Sequence, residues 1–208
     1  MPQDIPMYYA FLSDSIEQME TALRMREYQK GTDLPITVGI LVADYRRSFC
    51  QENIIDQLDR LNKKSGALID FYIPGYKKTP YSQIADLLHI TYKGEKYRFS
   101  KETFNAFLDA LEQRNIKLTG RTQLLLVPFE NGRLLLKDAL GFDLEKGEDV
   151  ERVGSVKLFF DYLIEISKKT TDFEEYRKTI QQDRIKSAFL DFLKEKAKDY
   201  FWSILIPS

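Results

Sequence analysis

The 208-residue chain predicts an α/β fold, in which a central mixed sheet with flanking helices carries an inserted β-hairpin and added N- and C-terminal helices. Three observations point there. ITVGILVA (36–43) and ALIDFYI (67–73) are short apolar runs rich in β-branched and aromatic residues, with a helical stripe between them. That order predicts two parallel strands joined by a crossover helix. TQLLLVPF (122–129) is a third core strand, and Asn131-Gly132 behind it signals a hairpin that adds an antiparallel neighbour. From about residue 150 the chain reads as helix.

The first helix spans about 13–30. Ser13 or Asp14 caps it, Glu17 lies three beyond Asp14, Ile16, Met19 and Leu23 form its apolar stripe, and Gly31 ends it. Pro35 introduces the first strand. Ile54, Ile55, Leu58 and Leu61 mark the crossover helix, stopped near Ser65-Gly66, and Pro74-Gly75 closes the second strand. Residues 81–88 suit a short helix.

HITYKGEKYRFS (89–100) alternates as a hairpin around Lys93-Gly94-Glu95-Lys96, either inserted or part of the main sheet. Ser100 caps a helix with the stripe Phe104, Phe107, Leu108 and Leu111. RLLLKDAL returns after Asn131-Gly132 as the antiparallel partner of the third strand. Val156, Phe159, Phe160, Leu163 and Ile164 mark one later helix. Asp172 with Glu175 opens another as a capping box. A last stripe runs Ile185, Ala188, Phe189, Phe192, Leu193, Ala197, Tyr200, Phe201. The organisation is an N-terminal helical extension (1–35), an α/β core (36–167) and a C-terminal helical extension (168–208).

Composition removes several classes of function. Thirty-one basic against 32 acidic residues leave no bulk field for nucleic acid or an anionic membrane. One cysteine and one histidine, His89, cannot build a Cys/His zinc cage, and a lone cysteine suits a reducing, cytoplasmic setting. The opening MPQDIPMYYAFL has acid and prolines where a signal peptide has lysines and a long apolar run. No apolar stretch is long enough to span a bilayer as a helix. No phosphate loop, G-x-S-x-G, H-E-x-x-H or dinucleotide fingerprint occurs, so no cofactor is expected.

Without the hairpin at 89–100, residues 36–166 run β-α-β-α-β-β-α. In that order the chain resembles the thioredoxin-like superfamily. TGRTQLLLVPFENGRLLL (119–136) is similar to the segment in which a cis-proline and threonine precede a leucine-rich strand and hairpin. ILVADYRRSFC (40–50) lies where that superfamily carries strand, Trp-Cys-x-x-Cys and helix. The resemblance implies that Cys50 takes the second cysteine position, Arg47 the nucleophile's and Arg121 or a neighbour the cis-proline's. Thiol–disulfide exchange needs an attacking and a resolving thiol, so it implies a degenerate member that has lost redox chemistry.

ADYRRSFC occupies the loop at the carboxyl end of the first strand, where α/β sheets gather ligands. Arg46, Arg47 and Ser48 at a helix start suit a small anion or nucleotide phosphate. The other reading makes Asp44 and Ser48 caps, with the arginines solvated or paired to acids. Cys50, in the first helical turn beside two arginines, is a reactive thiol of lowered pKa or a small core residue. His89 reads as the start of a strand. Asp70 faces the same crevice or an edge. YIPGYKKTPY (72–81) recognises a peptide or an unstacked base, or is a rigid loop held by tyrosine packing.

The C-terminal FWSILIP makes Phe201, Trp202 and Leu205 candidate contacts with a protein partner or a second copy, or with the chain's own sheet. The leading expectation is a non-catalytic binding or assembly module that engages a protein partner.

Overall fold

The computed structural model describes residues 15–28, 34–78, 89–92 and 95–181. The expected helix at 81–88, the last helical stripe, and Phe201, Trp202 and Leu205 lie outside the described residues.

The main sheet has four strands: β1 (Thr37–Val42), β2 (Ile69–Tyr72), β6 (Gln123–Val127) and β9 (Leu140–Asp143), in the order β2-β1-β6-β9. β1 pairs with β2 in parallel, β1 with β6 and β6 with β9 antiparallel, so the sheet is mixed as expected. Every residue of β1, β2 and β6 is buried, because both faces of the sheet are covered.

Register sorts the side chains between the two faces. Gly39 is level with Phe71 and Leu126, and Leu41 with Leu124, which is level with Phe142. Helix α6 (Val156–Ser167) covers this face: Phe160 meets Phe71 edge-on at 5.5 Å, and Phe159 meets Phe142 at 5.2 Å. Gly39 is required here, since a Cβ would come 2.6 Å from the Phe71 ring. On the other face Val38 is level with Asp70 and Val127, and Val42 with Gln123. Helices α1 (Ile16–Tyr28) and α4 (Lys101–Glu112) lie on that side.

Helix α1 buries Ile16, Met19 and Leu23, and the stripe continues to Arg26, which is also buried and ion-pairs with Asp70. Asp70 therefore faces α1. Ser15 supplies the cap, accepting from the Gln18 N–H at 3.2 Å. Ser100 caps α4 as expected, accepting from Thr103.

Two expectations need correction, and the place of the hairpin at 89–100, open in the sequence, is decided. The crossover helix is broken: α2 (Ser48–Asn53) ends where β-branched, buried Ile54 takes φ −122°. A single 3-10 turn (Ile55–Gln57) follows, and α3 (Leu58–Ser65) completes the crossover. Asn131-Gly132, both at positive φ, joins only the two-residue arms β7 (Phe129–Glu130) and β8 (Arg133–Leu134). The main-sheet partner of β6 is the later β9. The hairpin of β4 (His89–Tyr92) and β5 (Glu95–Phe99) belongs to a separate sheet, where β5 pairs with β3 (Tyr76–Lys78).

Helices α5 (Glu148–Val153) and α7 (Phe173–Gln181) complete the described chain. The capping box is modified: Asp172 accepts from the Glu175 N–H, while the Glu175 carboxylate accepts from Thr171, one residue earlier than the usual pattern.

Candidate functional site

The loop after β1 brings Asp44, Tyr45, Arg46, Arg47 and Ser48 to the carboxyl end of the sheet. Tyr45 points inward, its hydroxyl donating to the Leu41 carbonyl at 2.5 Å. Its ring packs on Tyr76 at 5.4 Å and Phe99 at 5.7 Å. This aromatic floor anchors the loop, and burial pushes the Tyr45 hydroxyl well above its ordinary pKa. Tyr72 and Tyr76 of the 72–81 stretch are likewise buried, as tyrosine packing predicts.

Both arginines are engaged by carboxylates. Arg46 donates from Nε to Asp44 Oδ1 at 2.7 Å and from a terminal nitrogen to Asp44 Oδ2, with its guanidinium 5.9 Å from the Phe99 ring centre. The Arg46 guanidinium holds the Asp44 carboxyl below its usual range despite partial burial. Arg47 makes a two-pronged pair with Glu145, at 2.6 and 2.7 Å.

Ser48 is exposed and does not cap α2; Arg47 holds the cap position, with no side-chain cap bond. Asp44 instead accepts from the Arg46 N–H at 3.2 Å, a local turn. With six residues, α2 is too short to present much of a helix dipole to an anion.

Glu145 organises the centre of the site. Besides Arg47, its Oε1 accepts from the Thr122 N–H at 2.8 Å and from the Thr122 hydroxyl at 2.7 Å. Burial alone would raise this carboxyl. The Arg47 guanidinium and the Thr122 donors outweigh it and bring the pKa down to about 2.

Thr122 Oγ1 also lies 3.1 Å from Cys50 Sγ. Cys50 is fully buried, and burial pushes its thiol up in spite of Thr122 and Arg47. This is the reverse of the lowered pKa that a helix start beside two arginines predicts. The arginines point outward to Asp44 and Glu145, while the thiol points inward.

Next to this network runs an open groove of about 420 Å³. Its apolar lining comes from Val42, Ala43, Phe104, Leu108 and Leu118, its polar lining from Asp44, Arg47, Glu112, Thr119, Arg121 and Gln123. Arg121 donates to Asp143 at 2.7 Å. The segments around 47–50 and 121–122, far apart in sequence, thus meet at one edge of the sheet.

Glu145, Thr122 and Asp143 carry this arrangement, and sequence reasoning did not single them out. Glu145 lies 98 residues from Arg47, in an acidic stretch with no motif to mark it. Asp70 is absent from the crevice because Arg26 holds it at α1, and His89 begins β4. Among the described residues no helix is long and apolar enough to cross a membrane. Comparisons of the chain with models of protein families, with curated proteins and with solved structures find no match in any of the three.

Proposed function

We propose that the chain is a non-catalytic binding module of thioredoxin-like architecture, working in the cytoplasm and engaging a protein partner. The observation that carries this reading is the Arg47–Glu145–Thr122–Cys50 network. An ion-paired arginine and a buried thiol of raised pKa stand where that architecture would have an attacking and a resolving thiol. The strand order β2-β1-β6-β9, with only β1 and β2 parallel, supports the architectural part.

The groove beside the network supplies a concave surface of ligand-site size, larger than roughly 300 Å³. Phe201, Trp202 and Leu205 are a second proposed contact, with a partner or another copy. A small-anion site at Arg46, Arg47 and Ser48 is the weaker reading, since an anion must displace Asp44 and Glu145 from the guanidiniums.

Two experiments test this. An Arg47→Cys variant rebuilds a Cys-x-x-Cys spacing with Cys50, and mild oxidation should remove both thiols from a free-thiol titration. Two thiols that persist would overturn the architectural reading. For binding, a benzophenone side chain at position 108 should crosslink a polypeptide in cells, and Leu118→Asp should abolish the adduct. Catalysed disulfide exchange by the native chain, or an adduct indifferent to Leu118→Asp, would overturn the functional one.

A further inference from the structure

The charges around the groove are unequally committed. Both Asp44 oxygens accept from Arg46, and both terminal nitrogens of Arg47 donate to Glu145. Arg121 differs. Only one terminal nitrogen is used, on Asp143, and the side chain is 46% exposed. Its Nε and other terminal nitrogen donate to nothing among the described residues. A guanidinium that is positioned by one carboxylate and keeps a second donor edge open is preorganised for another carboxylate.

The adjoining backbone has the same character. The Thr119 N–H is held by Gln123 at 2.9 Å and the Arg121 N–H by Thr119 at 3.3 Å. Between them the Gly120 N–H and C=O make no hydrogen bond among the described residues, and a Cβ built on it would meet nothing within 4 Å. Unpaired main-chain groups beside an apolar floor suit the backbone of an extended chain. Glu112, on the same groove, makes no ion pair among the described residues and disfavours a ligand with several acidic groups.

We propose that the groove takes an extended peptide segment of the partner, with an apolar side chain on the Phe104–Leu108–Leu118 floor and a neighbouring carboxylate on Arg121. This rests on the binding-module reading. Arg121 is the specificity-determining residue: the floor accepts many apolar side chains, whereas the guanidinium edge selects the sign of the charge beside them.

The test uses the full chain and three end-capped, fluorophore-labelled hexapeptides that differ at one position, two leucines followed by glutamate, glutamine or lysine. Fluorescence anisotropy should rank them glutamate, glutamine, lysine, with steps of about fivefold to tenfold. Arg121→Gln should erase the difference between glutamate and glutamine, and Arg121→Glu should reverse the order to favour lysine. A thermal melt of each variant checks that it is folded.

Equal affinities on the native chain, or a glutamate preference that survives Arg121→Glu, would overturn the proposal. Equal affinities that vanish in Leu108→Asp would remove the carboxylate and leave the groove. Absence of peptide binding while the position-108 crosslink persists would overturn this recognition mode and leave the binding module standing.

Discussion

Arg47 and Glu145 face each other through two parallel hydrogen bonds, 2.6 and 2.7 Å long, that join the start of α2 to the segment after β9. The same Glu145 carboxylate satisfies the N–H and hydroxyl of buried Thr122. Removing it strands two buried donors, so Glu145→Ala should destabilise the fold by about 1–3 kcal/mol. Glu145→Gln, which keeps an acceptor, should cost less. Because the folded pKa of about 2 lies below the ordinary 4.5, this group's contribution is complete above pH 4.5 and is lost as pH falls toward 2. Urea melts between pH 2 and 5 should show a loss in the native chain that Glu145→Gln reduces by this group's share, Asp44 and Asp143 being held low as well.

Cys50 should behave as a core residue. It is fully buried, its thiol is pushed up, and the Thr122 hydroxyl lies 3.1 Å away. In the folded chain at pH 8 a thiol reagent should react at least about a hundredfold more slowly than with the urea-unfolded chain, since reaction waits on opening. Glu145→Ala, which loosens Thr122, should speed it. A native rate equal to the unfolded one would mean that the thiol is reachable and would reopen a role in chemistry.

The elements that proved legible in sequence are those whose signal is local. The run 36–43, the stripe Phe104, Phe107, Leu111 and the cap Ser100 each declare themselves within a few residues. Pairing across distance was not legible. Asn131-Gly132 is a true hairpin turn, but its arms are too short to supply the main-sheet partner, which is the later strand β9, beginning at Leu140. Arg47 was visible as a cation at a loop, and nothing nearby in sequence says that Glu145 neutralises it. The stripe Ile16, Met19, Leu23 is legible in the sequence, yet its fourth member, Arg26, is charged, and only the fold reveals the acid that permits its burial.

Gly39 tests the packing of the α6 face. A methyl there would sit 2.6 and 2.8 Å from two carbons of the Phe71 ring, which is wedged against Phe160. Since β1 is buried at every position, the ring has no open side to move into. Gly39→Ala should therefore cost about 1–3 kcal/mol of overpacking, outweighing the entropic benefit of losing a strand glycine. Combining it with Phe71→Leu should recover part of the loss, which a cycle of melts on the two single variants and the double would show.

Arg26 and Asp70 set the other pH dependence. Burial pushes the Asp70 carboxyl up to about 6 against the pull of Arg26. For a group whose folded pKa is raised above its ordinary 3.8, the stabilising contribution is present below 3.8 and lost as pH rises through about 6. Acidifying from pH 7 to 5 should thus raise the stability contributed by this group, and Asp70→Asn should flatten that slope. The window lies above the one governed by Glu145, so the two separate in a pH series. If stability instead falls over pH 7 to 5 by an amount that Asp70→Asn removes, Arg26 outweighs burial and the ion pair is net favourable. At neutral pH Asp70→Asn, a neutral isostere of the protonated acid, should by the same reasoning cost little or stabilise, whereas Arg26→Met, which removes the cation paired with the buried Asp70 carboxylate, should cost about 3–5 kcal/mol. The double variant Arg26→Met/Asp70→Leu removes both charges and should regain most of the Arg26→Met loss, making the buried pair replaceable by apolar packing between α1 and the sheet.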